Sequence, residues 1–88
     1  MIRVLPDSPE KIEDLELIDR VIYTLETLEK KYGIEYKIAD LQEDHLGGIC
    51  EVVRTDYKPT SNNTTILGIY DKSYFLEKRQ KLLKGKNY

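Results

Sequence analysis

This sequence predicts an α+β fold, a two-layer sandwich in the order β-α-β-β-β-α, with a twisted sheet covered by a long N-terminal helix and a basic C-terminal helix. Three observations carry that prediction. Residues 9–32 repeat apolar side chains at helical spacing. Residues 34–70 hold three short runs rich in Val, Ile, Thr and Tyr, divided by turn-forming residues. The length, 88 residues, suits one domain spanning 1–88 and leaves no room for a second.

The elements follow in order. Ile2-Arg3-Val4-Leu5 is a β-branched, apolar run that stops at Pro6 and reads as a strand leaving into a turn. Ser8 then offers an N-cap and Pro9 suits the first helical position, so a helix is expected from residue 9. Leu15, Ile18, Ile22, Leu25 and Tyr32 share one face of it, and Leu17, Val21 and Leu28 form a second stripe beside the first. Glu10, Glu13 and Asp14 at the start and Lys30-Lys31 at the end both suit the helix dipole, and Gly33 is the expected stop. Such a helix would be roughly 34 Å long. Two stripes exceed what one sheet face needs, so the surplus one calls for a second helix or another chain.

Ile34 to Ile38 alternates as a half-buried strand does. Ile49 to Arg54 and Thr64 to Tyr70 are two more strands, and the loop Asp56 to Asn63 between them predicts an antiparallel hairpin. Gly47-Gly48 reads as the turn entering the first of these. A last helix, capped by Asp71 or Ser73, carries Phe75, Leu76, Leu82 and Leu83 on one side and ends at Gly85.

Net charge is only −2, but residues 1–51 carry −7 and residues 52–88 carry +5. Such a split can favour head-to-tail self-association or direct a partner to one face, but two ordinary solvated helix faces is the preferred reading. One cysteine permits no internal disulfide, and no apolar run approaches the length of a membrane span. With no basic-then-apolar leader, the expected setting is cytoplasmic and reducing.

Three known folds share parts of this order. The opening Ile-Arg-Val-Leu-Pro-Asp-Ser-Pro-Glu, with Asp14-Leu15-Glu16-Leu17-Ile18, resembles the small archaeal elongation factor 1-beta family, although that family closes on a strand and this chain on a basic helix. From residue 10 onward the order resembles a double-stranded-RNA-binding domain, which implies a basic run at the start of the final helix and a hairpin loop on the minor groove. Here that helix start holds Lys72 as its one early base, with Lys78, Arg79, Lys81 and Lys84 following. The order also resembles a thioredoxin fold lacking its second helix. With Pro6-Asp7-Ser8-Pro9 after the first strand and no C-x-x-C, that resemblance implies no dithiol exchange.

The only histidine and the only cysteine lie five residues apart in Glu43-Asp44-His45-Leu46-Gly47-Gly48-Ile49-Cys50. His45 could activate the Cys50 thiol if Glu43 or Asp44 oriented the imidazole. Asp44, His45 and Cys50 have the types of metal ligands but not the paired spacing of zinc motifs. Buried, inert Cys50 at a strand's head is the reading preferred over both.

The expected function is therefore a small non-catalytic protein-binding module, an adaptor, regulator or inhibitor without a cofactor, that pairs with itself. Its expected interface is Leu17, Val21, Leu28 and the loop residue Tyr57, which the sequence gives no packing reason to be aromatic. The alternative is RNA or DNA binding through Tyr57, Lys58, Lys78, Arg79, Lys81 and Lys84. A Cys/His enzyme stands third.

Overall fold

The computed structural model describes residues 3–5, 8–43, 47–58 and 63–85. It is α+β, with two α-helices and an antiparallel sheet whose strands run β1 (Arg3–Leu5), β3 (Gly47–Arg54), β2 (Tyr36–Glu43) and β4 (Thr64–Tyr70) from edge to edge.

The expected long helix is in fact two pieces. Pro9–Lys11 forms a single 3-10 turn, closed by the Lys11 N–H donating to the Ser8 carbonyl at 2.9 Å. Ile12 is extended and buried, which ends that turn. The helix proper, α1, spans Leu15–Tyr32 and starts at Asp14, whose carboxylate accepts from the Glu16 N–H at 2.9 Å. Its length is therefore about 27 Å. At the other end Gly33 adopts φ 69°, and its N–H closes on the Glu29 carbonyl at 2.8 Å.

β2 is the central strand, and this overturns two expectations. It reaches Glu43 rather than ending at Ile38. Ile38, Ala39, Asp40 and Leu41 are all buried, so both faces are covered and the polar–apolar alternation legible at 34–38 stops there. Moreover, β3 and β4 do not form a hairpin with each other. Each pairs antiparallel with β2, on opposite sides. Because both are antiparallel to β2, β3 and β4 run parallel, and the connection from Arg54, level with Tyr36, to Thr64, level with Glu43, must return about 24 Å along the sheet as well as cross one strand. Sequence neighbours pair often, but not always.

The tight hairpin is β2–β3. Glu43 pairs with Gly47 and Gln42 with Gly48, so the two glycines lie inside the ladder rather than in the turn. Residues 44–46 lie outside the described residues.

Register assigns the faces. Ile38 opposite Val52 and Asp40 opposite Cys50 share one face, and Ala39 opposite Glu51 and Lys37 opposite Val53 share the other. The first face joins the helices: Ile38 and Cys50 belong to one buried cluster with Ile12, Ile18, Val21, Ile22 and Leu25 and with Phe75 of α2 (Lys72–Gly85). The second face holds a smaller cluster, Ala39, Leu41 and Val53. α2 starts at Asp71, whose carboxylate accepts from the Tyr74 N–H at 3.0 Å.

Candidate protein-binding surface

The surplus stripe of α1 is covered by the chain itself. Val21 is only 2 % exposed and shares the main cluster with Phe75, while Leu17 packs on that cluster beside Leu82 of α2. Leu28 is half-buried. Val21 therefore offers no free surface to a second chain.

The acidic and basic halves of the sequence also meet inside the molecule. Arg79 Nε lies 2.7 Å from Asp19 Oδ1, and Lys78 Nζ donates to the Glu10 carbonyl at 2.8 Å. The Arg79–Asp19 pair is about half exposed and is worth at most about 1 kcal/mol. It does use charge that the sequence left available for another copy.

Tyr57 has a packing role after all. Its ring lies half-buried against Ala39, Leu41 and Val53, on the sheet face away from the helices. Its N–H closes a turn onto the Arg54 carbonyl at 2.9 Å, and Arg54 pairs with Asp56 at 3.3 Å. The six residues expected to hold nucleic acid are consequently not brought together. Tyr57 and the exposed Lys58 sit at the β3 end of the far face, Lys78 is engaged with the 3-10 turn and Arg79 with α1, and of the four on α2 Lys81 and Lys84 are the exposed ones. Nor do β3 and β4 form the hairpin whose loop an RNA groove would need.

Cys50 is buried on the helix-side face, where its thiol donates to Asp40 Oδ1 at 3.8 Å. Asp44 and His45, the other members of the expected dyad and metal site, lie outside the described residues. Among the described residues no cluster of three His, Cys, Asp or Glu side chains could hold a metal ion, and no helix is long and apolar enough to cross a membrane.

A polar knot ties β4 and α2 to the 3-10 turn. The Tyr70 hydroxyl donates to Glu10 Oε1 at 3.3 Å, and the Tyr70 and Tyr74 rings meet tilted at 55° with centroids 4.7 Å apart. Lys78 Nζ stands 5.9 Å from the Tyr74 ring centre. Tyr70 folds back across Gly68, where a Cβ would come within 2.9 Å of its hydroxyl, so a larger residue there would push the Tyr70 ring aside.

Burial, then the Glu10 charge and the hydrogen bond to it, raise the Tyr70 pKa above 10.0, and burial followed by the Glu10 charge raises that of Tyr74. A raised folded-state value means the neutral phenol favours the folded state. That stability is complete below pH 10.0 and is lost as pH rises through the folded-state value. Urea unfolding measured at rising alkaline pH should show a steeper loss for the native chain than for Tyr70→Phe. Equal slopes would mean the knot contributes nothing.

The surface that sequence reading missed is β4. Ile66 is 37 %, Leu67 56 % and Ile69 43 % exposed, on a strand that lies at the sheet's edge. From Thr64 to Tyr70 it carries no charge and no proline, the usual protections of an edge. A register shift between Asp40 and Leu41 sets Leu67 in a bulge of the β2–β4 ladder. The available signal was the neutral run Thr-Thr-Ile-Leu-Gly-Ile-Tyr itself, but edge status depends on pairing, which the run does not contain. At 56 %, Leu67 is the most exposed aliphatic side chain among the described residues.

No protein-family model matches the chain, and no curated protein or solved structure matches it significantly.

Proposed function

We propose that this chain is a small protein-binding module without catalytic chemistry, and that it binds through the β4 edge. The observation that carries the reading is the neutral, seven-residue edge strand with Ile66, Leu67 and Ile69 exposed. An unpaired strand presents a row of backbone donors and acceptors that an extended segment of a partner can complete. Apolar side chains alongside that row supply the contact area. In the two-layer arrangement this reading adopts, both helices cover one face of the sheet, so they leave the β4 edge open. A lone cysteine fits a reducing compartment.

The surface expected from the sequence, Leu17, Val21 and Leu28 with Tyr57, gives way to β4 in this reading, because Val21 and much of Tyr57 are taken up in packing. The test is capture of partners from cells of the native host by the native chain and by Leu67→Lys/Ile69→Lys. The double variant should keep its circular dichroism spectrum and its melting temperature, because both side chains are well exposed. Proteins bound by the native chain and lost by the variant would support the reading. The same proteins bound equally by both would overturn it.

A further inference from the structure

We propose that the occupant of the β4 edge is a second copy of this chain, its own β4 laid antiparallel across a two-fold axis. This rests on the reading of β4 as the docking edge and names its partner.

Charge is the first argument. Thr64 to Tyr70 holds no ionisable group besides the Tyr70 phenol, which is neutral at pH 7. Antiparallel self-pairing within the strand therefore sets no like charges opposite one another, in any register. A charged partner strand would gain no ionic contact there and would lose solvation. The chain's own β4 is a neutral, β-branched strand of the matching kind. The flanks agree. Asn63 precedes the strand and Asp71 follows it, so antiparallel pairing puts each Asp71 near the partner's Asn63 end. The two Asp71 residues are then held about 26 Å apart, eight residues along the strand.

Closure is the second. A two-fold contact consumes both β4 edges and produces one eight-stranded sheet whose outer edges are the two β1 strands. β1 has only three residues and an irregular register against β3, which makes it a poor template for further addition. The assembly stops at a dimer instead of growing into a fibre.

Long-range repulsion is the third. The net charge is −2, and the opposed halves of the sequence meet within each copy through Arg79 and Asp19. A net charge that small does little to hold two copies apart. One edge strand with three exposed aliphatic side chains is a small contact, so the dimer should dissociate in the range on the order of micromolar.

Sedimentation velocity over a concentration series should show a monomer–dimer equilibrium with no larger species. Ile66→Lys/Ile69→Lys should weaken it more than tenfold while the circular dichroism spectrum stays native. Independently of any variant, amide hydrogen exchange on the native chain should slow with concentration in β4 and nowhere else in the sheet. A chain that stays monomeric at millimolar concentration would overturn the proposal, as would a dimer unaffected by the two lysines or protected at another element. A monomer whose captured host partners are still lost with Leu67→Lys/Ile69→Lys would sink only the second copy as occupant and keep β4 as the docking edge.

Discussion

Val21→Glu should leave the chain unfolded at room temperature, with no helical circular dichroism and no dispersed amide spectrum. Val21 is 2 % exposed, in the cluster that joins α1, α2 and the sheet. A carboxylate placed there loses its hydration with no cation arranged to receive it, at a cost of several kcal/mol even if it takes up a proton. The valine's own burial, worth about 1.5–3 kcal/mol, is lost as well. For a chain of this length total stability is on the order of 4–13 kcal/mol, so the substitution removes most or all of it. The outcome also separates two roles for the residue. An interface valine replaced by glutamate would give a well-folded monomer, whereas a core valine gives no fold.

The second large effect is expected from Phe75→Ala. Phe75 is fully buried and is the one buried residue of α2 in the main cluster, with Tyr74 and Leu82 packed against its margin. Its ring meets Tyr74 edge-on, at 90° and 5.4 Å between centroids. Removing it should cost about 3–5 kcal/mol, read as a lower urea midpoint. The loss should concentrate in α2, whose other ties are the half-buried Tyr74 and Leu82 and the polar contacts of Lys78 and Arg79. Hydrogen exchange in the variant should therefore rise first along α2, with β2 and β3 protected longest. A variant within 1 kcal/mol of the native chain, on the scale of an ordinary surface substitution, would mean that α2 is not held by this ring.

How much of this could be read beforehand differs from element to element. The ends of the helices were legible because their chemistry is local. Gly33 takes the left-handed conformation that stops α1, and Asp71 caps α2 through the Tyr74 N–H. The start of α1 was read too early. The signals at Ser8 and Pro9 are real and make a 3-10 turn, but the burial of Ile12 ends it, and burial depends on what packs against the residue. Tyr57 shows the same limit. In the sequence it is an aromatic residue in a loop, and only the return of the chain over Val53 and Leu41 gives it a place.

The sequence by itself determined the α+β class, the existence of each α-helix and strand, the stop of α1 at Gly33 and the start of α2 at Asp71. It also showed that something must cover the Leu17–Val21 side of α1. Those follow from side-chain periodicity and from hydrogen bonds spanning four residues or fewer. Tertiary structure alone decided that α2 is that cover, that β2 lies between β3 and β4, and that β4 is left at the edge. Strand order is a choice between pairings of similar local quality, and it is decided by burial summed over distant residues. Here Ile38 to Leu41, which can be buried on both faces, takes the centre of the sheet, and the neutral run Thr64 to Tyr70 is left at the edge with no further strand beside it among the described residues.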